Sequence, residues 1–334
     1  MELKYLYWTK SKGIGGSVKK PEDFVVNEIL DRKFLRSFER TGTGVRKVEG
    51  PYTLFLLTKR QVTTKNALKS VAKELGISRK EIGYAGLKDK FAVTKQYITV
   101  KNAKKYSAET DAIRLEKIGN TNKHISIGNL SGNEFVITLH ECKAQDAEAM
   151  KNIKKELAQG LPNYFGPQRF GSHRNNHLIG RMLVKRGFDS ALREINGMSG
   201  KKYAHIMHVD KMLLKFFINA YQSWLFNETL NKYAKTRKKP LFGKIPIVGF
   251  DTKIRADAAG NMVKQIMKKE KTKPDDFRVN ELRIACRGSE RDAFIKVNVE
   301  IEQANSNIKL KFRLPKGSYA TNVMREICKN DRQT

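Results

Sequence analysis

GYAGLKDKFAVTKQ, residues 83 to 96, is the densest signal in the chain. Gly83 and Gly86 allow a tight turn with close backbone approach, and Lys88 and Lys90 bracket a single carboxylate, Asp89. The stretch runs into Tyr97, Ile98, Thr99 and Val100, whose alternation predicts a strand. A lysine-rich segment of this kind reads first as a solvated loop whose aspartate balances charge. Its second reading is a carboxylate held ionised by neighbouring cations and available as a nucleophile or general base.

Upstream, Thr53 to Thr58 predicts a buried strand. Thr64 to Leu75 follows as an amphipathic helix with Leu68, Val71, Ala72 and Leu75 on one face and Gly76 as its stop. Ser78 to Glu81 has the spacing of a capping box. Downstream, Glu134 to His140 predicts a strand, and Ala147, Met150, Ile153 and Leu157 mark a helix closing at Gly160. The character then changes to an aromatic and polar turn, a long helical pattern from Lys211 to Lys235, and a basic stretch over 236–240. Strand signals return with Phe294 to Ile301, paired to Ile308 to Leu314 across the polar turn 303–307, before a final helix carrying Ala320, Val323, Met324 and Ile327. Strands and helices at both ends around a different middle imply an α+β body interrupted by an insertion. Gly13 to Gly16 precedes no helix and no Gly-Lys-Ser/Thr, so it reads as a flexible connection rather than a phosphate loop.

At 334 residues the chain is long enough for two units with their own cores, and with 40% hydrophobic residues it is too apolar to be disordered. Its 66 Lys and Arg against 34 Asp and Glu give a net charge of +32. Such a surplus is best tolerated where a polyanion docks and releases its counterions, so nucleic acid is the expected partner. A lysine bias from a hot habitat would raise glutamate as well, and the acids have not kept pace. An anionic membrane surface is the other reading of the charge. Cys142, Cys286 and Cys328 form neither a disulfide framework nor a zinc spacing, and no apolar run approaches a membrane span. A cytoplasmic protein that avoids membranes is expected.

Further motifs carry two readings each. Lys19, Lys20 and PEDFVVNE at 21–28 form a turn feeding a strand, and their carboxylates with nearby lysines also suit a buried ion-pair network around an active site. GNEF at 132–135 opens a strand in which Phe135 is core, or stacks on a base if it faces a cleft. NYFGPQRFG at 163–171 interleaves aromatics with Arg and amides, the mix that reads splayed RNA bases, and is equally a core-lining turn. His173 with His177 and His205 with His208 lack a third ligand, so no metal is expected.

These motifs, with QSWLFN at 222–227 and LPKGSYATNVMREI at 314–327, resemble in family order those of the TruD-type pseudouridine synthases. The resemblance implies an α+β pseudouridine synthase catalytic domain with a mixed, largely antiparallel sheet over 1–160 and 287–334, interrupted by a TruD-type insertion domain over 161–286. It implies isomerisation of uridine in tRNA, usually at position 13 of the D arm, without cofactor, metal or obligatory protein partner. By matching position Asp89 is the catalytic aspartate, Phe135 the ring beside the target base and Asn133 its support. Lys19 or Lys20 corresponds to the family's active-site lysine. Asn163, Phe165, Gln168 and Arg169 are the further expected substrate contacts. The alternative is a binding protein that grips structured RNA without chemistry; a methyltransferase is disfavoured because no glycine-rich cofactor loop is present.

Overall fold

The computed structural model describes residues 3–31, 34, 40–41, 44–45, 50–142, 147–198, 200–236, 239–304 and 307–329. Positions 237–238 of the basic stretch and 305–306 of the polar turn lie outside the described residues. Two compact units are present, one of residues 13–154 with 297–320 and one of residues 1–12, 155–296 and 321–334.

The first unit is a sheet of ten strands: β1 (Gly15–Ser17), β2 (Phe24–Leu30), β3 (Tyr52–Arg60), β4 (Ile82–Tyr84), β5 (Val93–Lys101), β6 (Ser107–Thr110), β7 (Ile113–Thr121), β8 (Leu130–Cys142), β9 (Val299–Ala304) and β10 (Asn307–Pro315). Their order is β9-β10-β8-β2-β5-β3-β7-β6, with β1 added to β8 and β4 to β5. Every pairing is antiparallel except that of β2 with β5. The sheet is therefore mixed and largely antiparallel, in an α+β protein. Helix α1 (Thr64–Leu75) covers one face: Leu68, Val71 and Leu75 pack with Phe55, Leu57, Ile98 and Val100 in one buried cluster. It ends at Gly76, whose φ of 65° is the left-handed conformation that glycine adopts without a Cβ penalty.

Two expectations change here. Gly15 and Gly16 form no loose connection: both have positive φ, and their strand pairs Gly15 with Cys142 and Ser17 with His140. Phe294 and Ile295 do not extend the hairpin of β9 and β10 but pair with Leu161 and Pro162. Lys296 to Asn298 separates the two pairings, so a run of alternating residues serves two sheets.

The second unit is mainly helical, with α2 (Ala147–Gln159) entering it and α3 (Asn176–Val184), α4 (Phe188–Met198), α5 (Lys211–Thr236), α6 (Ala258–Lys269) and α7 (Ala320–Cys328). α5 is buried on nearly all sides over Phe217 to Leu230, its polar Gln222, Ser223, Asn227 and Thr229 included, because α3 and α6 pack against it. Residues 3–12 belong to this unit although they begin the chain. The carboxylate of Glu326 on α7 accepts from the Trp8 amide at 2.9 Å, the Thr9 amide at 3.0 Å and the Thr9 hydroxyl at 2.6 Å. Packing thus joins both termini and residues 287–296 to the middle of the chain, where the motif-based division placed them with the sheet.

Candidate active site

The polar face of the sheet unit is built by strand parity. The register aligns Lys59, Thr94, Val26, Phe135 and Phe312 in one row across β3, β5, β2, β8 and β10. Side chains in such a row project to the same face. One step along, Glu28 faces Asn133. A face that is apolar under α1 thus carries a buried polar strip beside it, with Lys59, Thr94 and Gln96 all fully buried.

The segment of residues 85–92 crosses this strip. Lys88 reaches down into it, and its ammonium pairs with Glu28 Oε2 at 2.7 Å and donates to Asn133 Oδ1 at 2.6 Å. Both charged side chains are essentially out of water, Lys88 at 5% and Glu28 at 0% exposure. Glu28 Oε1 also accepts from the Tyr97 amide at 3.2 Å, made possible by the parallel neighbour strand. The Lys88 amide donates to Thr64 Oγ1 at 2.8 Å, tying the segment to the first turn of α1. Next along, Asp89 is exposed, while its backbone carbonyl accepts from the Lys59 ammonium at 2.5 Å.

Lys59 is the functional candidate that motif reading missed. It is fully buried, and burial pushes its pKa down to about 8; the charge of Asp89 opposes that shift and the charge of Lys88 adds to it. The signal was present: Phe55, Leu57 and Lys59 share one strand parity, so a lysine continues an inward-facing series. The sign of its linkage is definite. A lysine whose folded pKa lies below its unfolded value contributes stability that is present above the unfolded pKa and lost as pH falls through the folded one. Wild-type protein therefore gains stability relative to Lys59→Met between pH 8 and about 10.5, by on the order of 3 kcal/mol. Unfolding midpoints of the two proteins across that range check this, and a difference independent of pH would show that the Lys59 ammonium is not desolvated.

The expected lysines lie elsewhere. Lys19 is exposed and pairs with Glu141 at 2.6 Å, and Lys20 is exposed. Their amides donate to Asp23 Oδ2 at 3.1 and 3.0 Å, closing the turn before β2. Burial opposes ionisation of Asp23, but His140 at 3.0 Å and those two amides outweigh it and hold the carboxyl below its ordinary value. Asn133 sits within the Lys88 network. Phe135 is 6% exposed, stacked on Phe312 with centroids 5.5 Å apart and set edge-on to Phe24 at 6.1 Å. Gly132, before Asn133, and Gly83, before the segment, are required by close approach: a Cβ would collide with the carbonyl oxygens of Leu314 and Ile125 respectively. Gly86 has neither a positive φ nor a close neighbour, the nearest being Leu130 Cδ2 at 3.8 Å.

Asn163, Phe165, Gln168 and Arg169 belong to the helical unit. Asn163 is buried and bonded at both ends of its side chain: its oxygen accepts from Arg291 at 2.7 Å and its amide donates to the Asp292 carbonyl at 3.1 Å. Phe165 is half-buried, bonded through both backbone groups to the Asn227 side chain, with the Arg291 guanidinium 4.2 Å from its ring centroid. Arg169 donates to Ser223 Oγ at 3.0 Å and Gln168 is exposed. Arg291 and Asn227 organise this turn; Asn227 closes the QSWLFN motif, and Arg291 sits outside every motif quoted above. Among the described residues no group of three His, Cys, Asp or Glu could hold a metal ion, and no helix is long and apolar enough to cross a membrane.

The family model for tRNA pseudouridine synthase D (TruD) matches residues 3–206 and 233–327, leaving QSWLFN in the interval between. A curated relative from Methanocaldococcus jannaschii, named "Probable tRNA pseudouridine synthase D 1", is 29% identical over 94% of this chain and 95% of its own length. One from Thermococcus sibiricus, "Probable tRNA pseudouridine synthase D", is 29% identical over 98% of each. The crystal structure of a Methanosarcina mazei protein named "Putative tRNA pseudouridine synthase D (TruD)" superposes with a TM-score of 0.75 at 24% identity, covering 99% of this chain and 97% of that one. Its fold is thus shared with this protein. Matched along nearly its whole length, the chain belongs to the TruD family of tRNA pseudouridine synthases.

Proposed function

We propose that this protein isomerises uridine to pseudouridine in tRNA, at position 13 of the D arm, with Asp89 as the catalytic carboxylate. The observation that carries the reading is the mounting of Asp89. The acid faces solvent, while the residue before it is locked into a buried ion pair and its own carbonyl is held by a buried ammonium. A carboxylate fixed in this way on a cationic base is preorganised for charge that develops on a sugar.

A uridine in a folded arm is stacked, so it must first be flipped out, at a cost of a few kcal/mol. Asp89 then promotes cleavage of the C1′–N1 bond through an oxocarbenium-like sugar, either by attacking it or by abstracting a proton. The bonding pair leaves with uracil, which turns and returns a pair from C5 to C1′. C5 gives up its proton and N1 takes one, so the product is an isomer and no electrons are exchanged with a partner. Phe135 supports the base from the sheet face, and Asn133 acts through Lys88. Lys19 and Lys20 lie on the exposed turn before β2, where they suit phosphate. In the insertion domain, 161–286, the turn carrying Phe165, Gln168 and Arg169, braced by Asn163, offers a ring, an amide and a guanidinium to RNA.

Binding tests the polyanion part of this reading. With about six phosphates neutralised, tRNA affinity falls on the order of a thousandfold between about 50 and 200 mM salt, a log-log slope of roughly 0.7 to 0.9 per phosphate. A filter-binding titration measures it. A flat profile would remove RNA as the reason for the charge of +32.

A further inference from the structure

The segment that carries Asp89 also carries apolar surface that the fold does not use. Leu87 is 61% exposed and Phe91 is 56% exposed, two residues before and two after the acid. Ile127, 69% exposed, lies on the adjoining turn, where the Gly128 amide donates to the Ala85 carbonyl at 2.8 Å. Single exposed apolar residues are ordinary. Three on one short segment and the turn bonded to it, on a chain with a 66 to 34 excess of basic residues, are not a solvating arrangement.

Nor is the segment loose. Ala85 and Ala92 anchor its two ends, at 1% and 0% exposure, and Lys88 and the Asp89 carbonyl are tied down between them. The apolar side chains are therefore held out on a fixed frame. Lys90, exposed between Asp89 and Phe91, adds a cation suited to phosphate. Rings and branched aliphatic groups beside cations on a rigid turn match the chemistry of nucleobases in a stack: every base has a face that an aromatic ring can cover, and apolar wedges hold separated base steps apart.

We propose that Leu87 and Phe91 form an unstacking wedge, which enters the RNA where the target uridine leaves and covers the bases that flanked it. This rests on the reading of Asp89 as the residue that acts on a flipped uridine. It adds the means by which the vacated stack is filled. Both residues are surface groups, so Phe91→Ala, Leu87→Ala and the double variant should melt within about one degree of the wild type.

The test is the single-turnover rate on two tRNA transcripts, one fully folded and one whose target uridine faces a base it cannot pair with, for which flipping is cheaper. Phe91→Ala is expected to slow the folded transcript about tenfold or more, the double variant further, and Phe91→Trp little. On the mispaired transcript the deficit should shrink several-fold. Rates within twofold of the wild type on the folded transcript overturn the wedge, and so does an equal deficit on both transcripts, which would assign the loss to Asp89 itself. The two readings fail separately. A wild type inactive on tRNA, or Asp89→Asn as active as the wild type, sinks the catalytic reading; an active wild type with unaffected wedge variants sinks only this one.

Discussion

Asp89→Asn is expected to abolish pseudouridine formation and to leave tRNA affinity close to that of the wild type. Asparagine keeps the shape of the side chain and removes its charge, so it can neither attack the sugar nor take a proton. Loss of a positioned nucleophile or general base costs on the order of a thousandfold or more in rate. The anchors of the segment survive, because Lys59 bonds the backbone carbonyl of residue 89 and the Lys88 ion pair lies one residue away. Removing one negative charge from a cationic surface weakens no phosphate contact, so affinity should change by no more than about threefold. Release of the C5 hydrogen from tRNA labelled at that position follows the rate, and filter binding follows the affinity. A variant retaining a tenth of the wild-type rate would transfer the chemistry to another residue, and loss of binding in parallel would turn Asp89 into a docking group.

Lys88→Met is the second large effect, and it falls on stability. Glu28 is fully buried, and its carboxylate would lose its cation while the Asn133 side chain loses its donor. Breaking a buried pair from one side costs about 3 to 5 kcal/mol, because the remaining charge is stranded, whereas replacing both members by apolar groups is often close to neutral. The midpoint of the sheet unit should fall by roughly 6 to 20 °C, and the double variant Lys88→Met with Glu28→Leu should recover most of the loss. Calorimetry distinguishes the outcomes. A shift below about 2 °C for the single variant would mean that water reaches Glu28, and an unrecovered double variant would mean that the strip is held by more than charge. Neither variant should form pseudouridine at the wild-type rate, since both release the frame on which Asp89 is mounted.

The elements legible in the sequence are those fixed by local periodicity. Helix α1 could be read from Leu68, Val71 and Leu75 and its end from Gly76, because spacing and a left-handed stop are properties of neighbouring residues. Strand β3 announced itself by a continuous apolar run, and β5 and β8 by strand-like segments at Tyr97–Val100 and Glu134–His140, though each runs beyond the part read, since backbone pairing does not stop where hydrophobicity does. The short strand at Gly15 and Gly16 was not legible: its pairing to Cys142 and His140 is a contact across 120 residues and more. The partners of the site obey the same divide. Asp89 and Lys88 lie in one motif, but the cation under Asp89 comes from β3 and the anion under Lys88 from β2. Lys59 lay just beyond the strand read over Thr53 to Thr58, and lysine is so seldom buried that nothing drew it into the core. Arg291 lies 128 residues from Asn163, which it holds, and no motif links the two.

Pseudouridine mapping at single-nucleotide resolution, on an unmodified tRNA transcript incubated with the purified protein alone, decides whether this chain converts uridine 13. The expected result is one new pseudouridine, at position 13, appearing without added cofactor. A transcript that remains wholly uridine, or one modified only at other positions, would contradict it.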